Sequence, residues 1–193
     1  MTAITLNLRP TITLTDEQFE QICHTNRDLK FERTAQGELV VMSLTGGDTG
    51  RRNIKLSARL ENWSSESNLG VAFDSSTGFR LPNGAIRSPD AAWVRLERWQ
   101  ALTSEQRKKF VPLCPDFLVE LRSPSDELED IQAKMQEYLA NGLLLGWLID
   151  PHRQIVEIYR PNQSVEILNH PTTLSGESVL PEFVLDLTGI LTD

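Results

Sequence analysis

A strand, a helix and a second strand follow one another between residues 116 and 150 of this 193-residue chain, an order that points to an α/β sheet with a helical crossover. Phe117-Leu118-Val119-Glu120-Leu121-Arg122 reads as a buried strand. Ser123-Pro124-Ser125 ends it, because proline lacks the N–H that a ladder needs. Asp126 offers a helix N-cap with Glu129 three positions on, a capping-box pattern. The predicted helix shows an apolar face of Leu128, Ile131, Met135, Tyr138 and Leu139, and stops at Gly142. Leu144–Asp150 follows as a second apolar run. A helical crossover between two such strands makes them parallel neighbours in one sheet.

Glu120 is the discordant residue in this unit. Desolvating a carboxylate inside an apolar strand costs several kcal/mol unless a cation or hydrogen-bond donors compensate it. A second carboxylate, Asp90, follows Pro89 at the head of another apolar run, Ala91-Ala92-Trp93-Val94. Hard oxygen ligands converging from neighbouring strands suit Mg²⁺ or Mn²⁺. Lys134 lies at the edge of the helix's apolar stripe, about 40° from Tyr138, so its stem can follow the core while its ammonium reaches a site at the boundary. Structural readings stand beside these. Asp90 can be a strand-start aspartate, Lys134 a solvated helix lysine, and Glu120 with Arg122 an ion pair on one strand face at i, i+2.

The rest of the chain frames this unit. A short helix is expected over residues 15–29 with Thr15 as its cap, and a strand over residues 38–42. A helix is expected from about Arg51 to Glu66, after the loop Thr45-Gly46-Gly47-Asp48-Thr49-Gly50. Leu56, Leu60 and Trp63 form its apolar stripe, and Ile54 and Ala58 on the other side predict burial on two faces. Strands are expected at Val71–Asp74 and around Gly78–Leu81, the latter turning through Pro82-Asn83-Gly84. A surface helix over residues 103–110 and strands at Ile155–Arg160, Val165–Leu168 and Phe183–Leu187 complete a mixed α/β sheet.

Hydrophobic content of 39% and charged content of 24% describe one ordinary folded domain over residues 1–193. The start of the chain shows no secretion signal, and no apolar stretch approaches the roughly 18 residues of a membrane span. Cys23 and Cys114 read as reduced thiols of a cytoplasmic protein. The net charge of −8 argues against a nucleic-acid binder when taken alone. However, residues 51–122 carry 12 Lys/Arg against 8 Asp/Glu, which could set a basic face beside the acidic pair. Ordinary scatter of surface charge explains the same numbers.

These residues carry a resemblance. The order helix-β-β-β-helix-β, with Pro-Asp on one strand and Glu-X-basic on the next, resembles the PD-(D/E)XK nuclease superfamily, and within it the Uma family of restriction-endonuclease-like proteins. The similarity runs from about Leu14 to Leu191. It rests on Gly37-Glu38-Leu39-Val40-Val41-Met42, Thr45-Gly46-Gly47, Arg87-Ser88-Pro89-Asp90, Cys114-Pro115-Asp116 leading into the Glu120 strand, Gln132-Ala133-Lys134 through Gly142, and Gly146-Trp147-Leu148-Ile149-Asp150-Pro151. The resemblance implies a restriction-endonuclease-like core with extra N- and C-terminal strands. It further implies a Mg²⁺- or Mn²⁺-dependent endonuclease, acting on double-stranded DNA as a homodimer. Asp90 and Glu120 would hold the metal, with the Leu121 carbonyl as a further ligand. The family's motif lysine falls at Arg122, which keeps the charge but cannot give up a proton, so Lys134 is the candidate for a displaced lysine. Glu38 would add a further acidic group. Two alternatives stand: a catalytically inactive nuclease-fold binding or regulatory module, and a hydrolase of smaller phosphoesters.

Overall fold

The computed structural model of the chain describes residues 3–42 and 44–192. In chain order the elements are β1 (Ile4–Leu6), α1 (Asp16–Thr25), β2 (Lys30–Arg33), β3 (Leu39–Met42), α2 (Gly47–Ser67), β4 (Gly70–Asp74), β5 (Phe79–Arg80), β6 (Ile86–Arg87) and β7 (Ala91–Arg95). They continue with α3 (Leu96–Gln100), α4 (Ser104–Arg107), β8 (Phe117–Leu121), α5 (Leu128–Ala140), β9 (Leu145–Asp150), β10 (Ile155–Tyr159), β11 (Glu166–Asn169), β12 (Thr173–Ser175) and β13 (Val184–Asp186). A six-stranded sheet has the order β11-β10-β9-β8-β7-β4, a five-stranded sheet the order β1-β3-β2-β6-β5, and β12 pairs with β13.

The expected crossover organises the larger sheet. β8 and β9 run parallel, with Phe117 opposite Leu145 and Leu121 opposite Ile149, and α5 makes the connection between them. Strand alternation then sorts the core into two layers. Phe117, Val119 and Leu121 face Leu56 and Leu60 of α2 and the C-terminal Leu185 and Ile190. Leu118 and Leu148 face Met135 and Tyr138 of α5. Gly142, at φ +104°, ends α5 as expected.

Three expectations change. α2 is buried on one face only: Ile54 is 66% exposed and Ala58 is exposed as well. The sheet and the C-terminal segment cover one stripe of this helix, and solvent meets the other. The strand around Gly78–Leu81 shrinks to β5 and joins the smaller sheet. The Pro82-Asn83-Gly84 turn folds it back onto β6, with Phe79 opposite Arg87. Asp126 does not cap α5; Glu127 takes the N-cap position without a side-chain cap bond. The Asp126 carboxylate accepts instead from the Ser123 N–H at 2.7 Å, tightening the loop that leaves β8.

The smaller sheet was largely unforeseen. β2 and β3 pair antiparallel, and Arg33 lies opposite Ile86, which joins β6 to β2. A third apolar cluster, with Phe19 of α1, Leu39 and Ile86 at its centre, fastens this sheet to its helix. Its position matters for function, because β2 and β6 border the end of the larger sheet where Asp90 enters β7.

Candidate active site

β7 and β8 are antiparallel, with Ala91 opposite Val119. One step further along this register sets Asp90 across from Glu120. The Asp90 carboxylate accepts the Leu121 N–H at 2.8 Å and the Asn53 side-chain amide of α2 at 3.0 Å. Glu120, 7% exposed, accepts from the Tyr138 hydroxyl at 3.0 Å. The Lys134 ammonium lies 2.9 Å from the same Glu120 oxygen. Lys134 and Tyr138 stand four residues apart on α5, so one helix face delivers both to the strand carboxylate. The sequence-based candidates Asp90, Glu120 and Lys134 are therefore brought together.

Arg122 lies elsewhere. Its guanidinium meets Asp150 at 2.8 Å, and its Nε donates to the Asp126 carbonyl at 3.2 Å. It packs at the exit of β8 among loop and β9 groups. Glu38 lines the same cleft as the acidic pair, where it accepts from the Thr34 hydroxyl at 3.2 Å.

Glu32 of β2 was missed by sequence reasoning. It is 3% exposed. It accepts from the Lys134 ammonium at 2.9 Å, the Arg87 guanidinium at 3.2 Å and the Ser88 N–H at 2.9 Å. Arg87 in turn donates to Glu137 of α5 at 2.6 Å. The only signal in the sequence was a glutamate between Phe31 and Arg33, and its partners lie more than 50 residues away.

Electrostatics follow from this burial. Desolvation pushes the Glu120 carboxyl up to about 7; Lys134 pulls against that, and the Asp90 and Glu32 charges add to it. Asp90 is raised by burial too, against the Leu121 N–H and the charges of Lys30 and Lys134. Burial alone would lower Lys134, but Glu120 and Glu32 outweigh it and hold the ammonium protonated well above the ordinary lysine range. Burial opposes ionisation of Glu32, yet Lys134 and Arg87 overcome this and keep it below the ordinary carboxylate value.

The site opens into a cleft of about 1100 Å³. Its charged lining is mainly acidic: Asp28, Glu32, Glu38, Asp90, Glu120, Asp126, Glu127, Asp130 and Glu137, against Arg27, Lys30, Arg87 and Lys134. Among the described residues this lining does not form the expected basic face. Arg59 of α2 is turned to the C-terminal segment, donating to the Asp186 and Thr188 carbonyls.

Among the described residues no group of three or more His, Cys, Asp or Glu side chains has the geometry of a metal cage. The donors present nonetheless suit a hard divalent ion. Asp90 and Glu120 offer two carboxylates, and the Asn53 amide oxygen beside Asp90 is buried with no hydrogen-bond partner. Mg²⁺ commonly takes one or two carboxylates and fills its remaining positions with water and substrate phosphate.

The mixed sheet, with parallel β8 and β9 joined by α5 at its centre, has a restriction-endonuclease-like fold. The chain belongs to the Uma2 family, described as "Putative restriction endonuclease", which it matches over residues 16–188. A crystal structure described as "a putative nuclease belonging to DUF820" from Anabaena variabilis ATCC 29413 superposes with a TM-score of 0.76 at 19% identity, covering 92% of this chain and 97% of the other. No curated protein matches. Among the described residues no helix is long and apolar enough to cross a membrane.

Proposed function

We propose that the protein is an endonuclease that hydrolyses DNA phosphodiester bonds with a Mg²⁺ or Mn²⁺ ion held by Asp90 and Glu120. The observation that carries this reading is the Lys134 ammonium, 2.9 Å from Glu120. It supplies from α5 the positive charge that Arg122, engaged by Asp150, does not bring to the cleft. When bound, the ion would polarise the phosphodiester and lower the pKa of the attacking water. Lys134 stays protonated, so it acts as a hydrogen-bond donor and a fixed charge rather than as a base. Two of its N–H groups serve Glu120 and Glu32, and the third can meet a phosphate oxygen as negative charge grows there. Tyr138 and Lys134 occupy one oxygen of Glu120, which leaves the other to the ion.

The acidic cleft favours a metal-assisted reaction. A polyanionic substrate enters such a lining only with cations to neutralise it. The inactive-module reading draws on the arginine in the lysine position and on the acidic net charge; against the first of these, Lys134 beside Glu120 offers the cleft a lysine in place of Arg122. A duplex needs two cuts, and two copies of this one-site chain would supply them as a homodimer.

The direct test is incubation of purified protein with supercoiled plasmid and Mg²⁺ or Mn²⁺. Metal-dependent conversion to nicked and linear forms is expected, and an intact plasmid with either ion contradicts the reading. A pH dependence follows as well. Because Glu120 titrates near 7 and Asp90 is also raised, a cation must displace protons below that pH. Mn²⁺ affinity should rise with pH and level off above about 7. Calorimetry in buffers of different ionisation enthalpy should detect proton release below that point, and pH-independent affinity would contradict the assigned ligands.

A further inference from the structure

The hydrolase reading leaves Glu32 without a task. It lies on the smaller sheet, 102 residues from the lysine it touches, and it is buried as completely as a core side chain. Burying a carboxylate there is poor value as scaffolding, since an apolar pair of similar volume would serve stability as well. Its surroundings form a chain of ion pairs. Glu32 binds Lys134 and Arg87, and Arg87 binds Glu137, three residues after Lys134 on α5. The Ser88 N–H fixes the Glu32 oxygen that also holds the ammonium.

Building on the endonuclease reading, we propose that Glu32 is a positioning residue: from β2 it holds the Lys134 ammonium against Glu120, so that the lysine donor stands ready when substrate arrives. A lysine side chain has four rotatable carbons and considerable rotamer entropy. Glu120 alone would leave that chain free to swing about a single contact. A second carboxylate from a different sheet removes this freedom before the reaction, which is where orientation contributes most to rate. Glu32 touches neither substrate nor metal in this scheme and acts only through Lys134.

A double-mutant cycle tests this, with Glu32→Gln, Lys134→Met and the double variant compared as kcat and KM per folded molecule. Glu32→Gln should lower kcat about 10- to 100-fold, as loss of an orienting partner does, with KM for DNA little changed. In the Lys134→Met background, Glu32→Gln should cause no further loss. Glu32→Asp should recover part of the rate. Losses that multiply in the double variant, or an effect confined to KM, would overturn the proposal. A second readout needs no turnover: the ¹⁵N side-chain resonance of the Lys134 ammonium. It should exchange slowly in the wild type and vanish in Glu32→Gln while the backbone spectrum persists. A signal unchanged by that substitution overturns the tether. An inactive wild type instead overturns the hydrolase reading together with the catalytic consequence drawn here, and the ammonium signal separates that failure from failure of the tether.

Discussion

Glu120→Gln is expected to lower cleavage by about 10³-fold or more, and Asp90→Asn to do the same, because each removes a carboxylate from a two-carboxylate ion site. That loss corresponds to about 4 kcal/mol of transition-state stabilisation, the scale of a metal's contribution to phosphoryl chemistry. The fold should survive the first substitution. Glu120 ordinarily titrates at 4.5 and is pushed up to about 7 here, chiefly by burial. Between those values the folded protein holds a proton that the unfolded chain has released. The contribution of Glu120 to stability is therefore fully present below 4.5 and is lost as pH rises through about 7. A shift of this size is on the order of 3 kcal/mol. Glutamine stays neutral, so the metal-free variant should match the wild type at low pH and exceed it at pH 8. Melting curves across that range check the sign, and plasmid assays check the rate. A variant that cuts normally would remove Glu120 from the reaction.

The second large effect belongs to Lys134. Replacing it with methionine keeps the apolar stem along α5 and removes the ammonium, so kcat should fall about 10²- to 10³-fold, as for loss of one preorganised donor. Mn²⁺ affinity should hold or rise, because Glu120 loses a competing cation. Arg122→Gln is the contrasting control. Its guanidinium is held by Asp150, which is 4% exposed at the side chain; the His152 and Arg153 N–H groups still donate to that carboxylate, so losing the arginine should cost about 1–3 kcal/mol of stability. Turnover per folded molecule should remain close to that of the wild type. Assays of kcat beside urea unfolding separate the two variants; the opposite pattern would return the lysine role to Arg122.

The residues that could be read without coordinates share one property: their environment is set locally. The Glu120 strand, its proline stop, the helix of residues 128–140 and the strand of residues 145–150 are neighbours in sequence, and apolar periodicity fixes how they pack. That unit emerged as expected, with Asp90 across from Glu120. Glu32 and Arg33 show why the smaller sheet stayed hidden. They occupy buried positions on β2 at 3% and 7% exposure, where alternation rules expect apolar side chains. Their compensating charges come from Lys134 and Arg87 for Glu32, and from Asp16 for Arg33. No local pattern announces a carboxylate whose partner is a hundred residues away. The basic surplus over residues 51–122 misled for a related reason: a charge balance does not reveal that Arg59 of α2 will be taken up by the C-terminal segment.

The central claim is that Asp90 and Glu120 grip one divalent ion while Lys134 remains at Glu120. Diffraction at the manganese edge from crystals soaked in Mn²⁺ tests it most directly. The expected result is one anomalous peak within about 2.0–2.6 Å of an oxygen from each carboxylate, with the Lys134 ammonium still hydrogen-bonded to Glu120. A peak bound by other residues, or none at a Mn²⁺ concentration that supports cleavage, would contradict it.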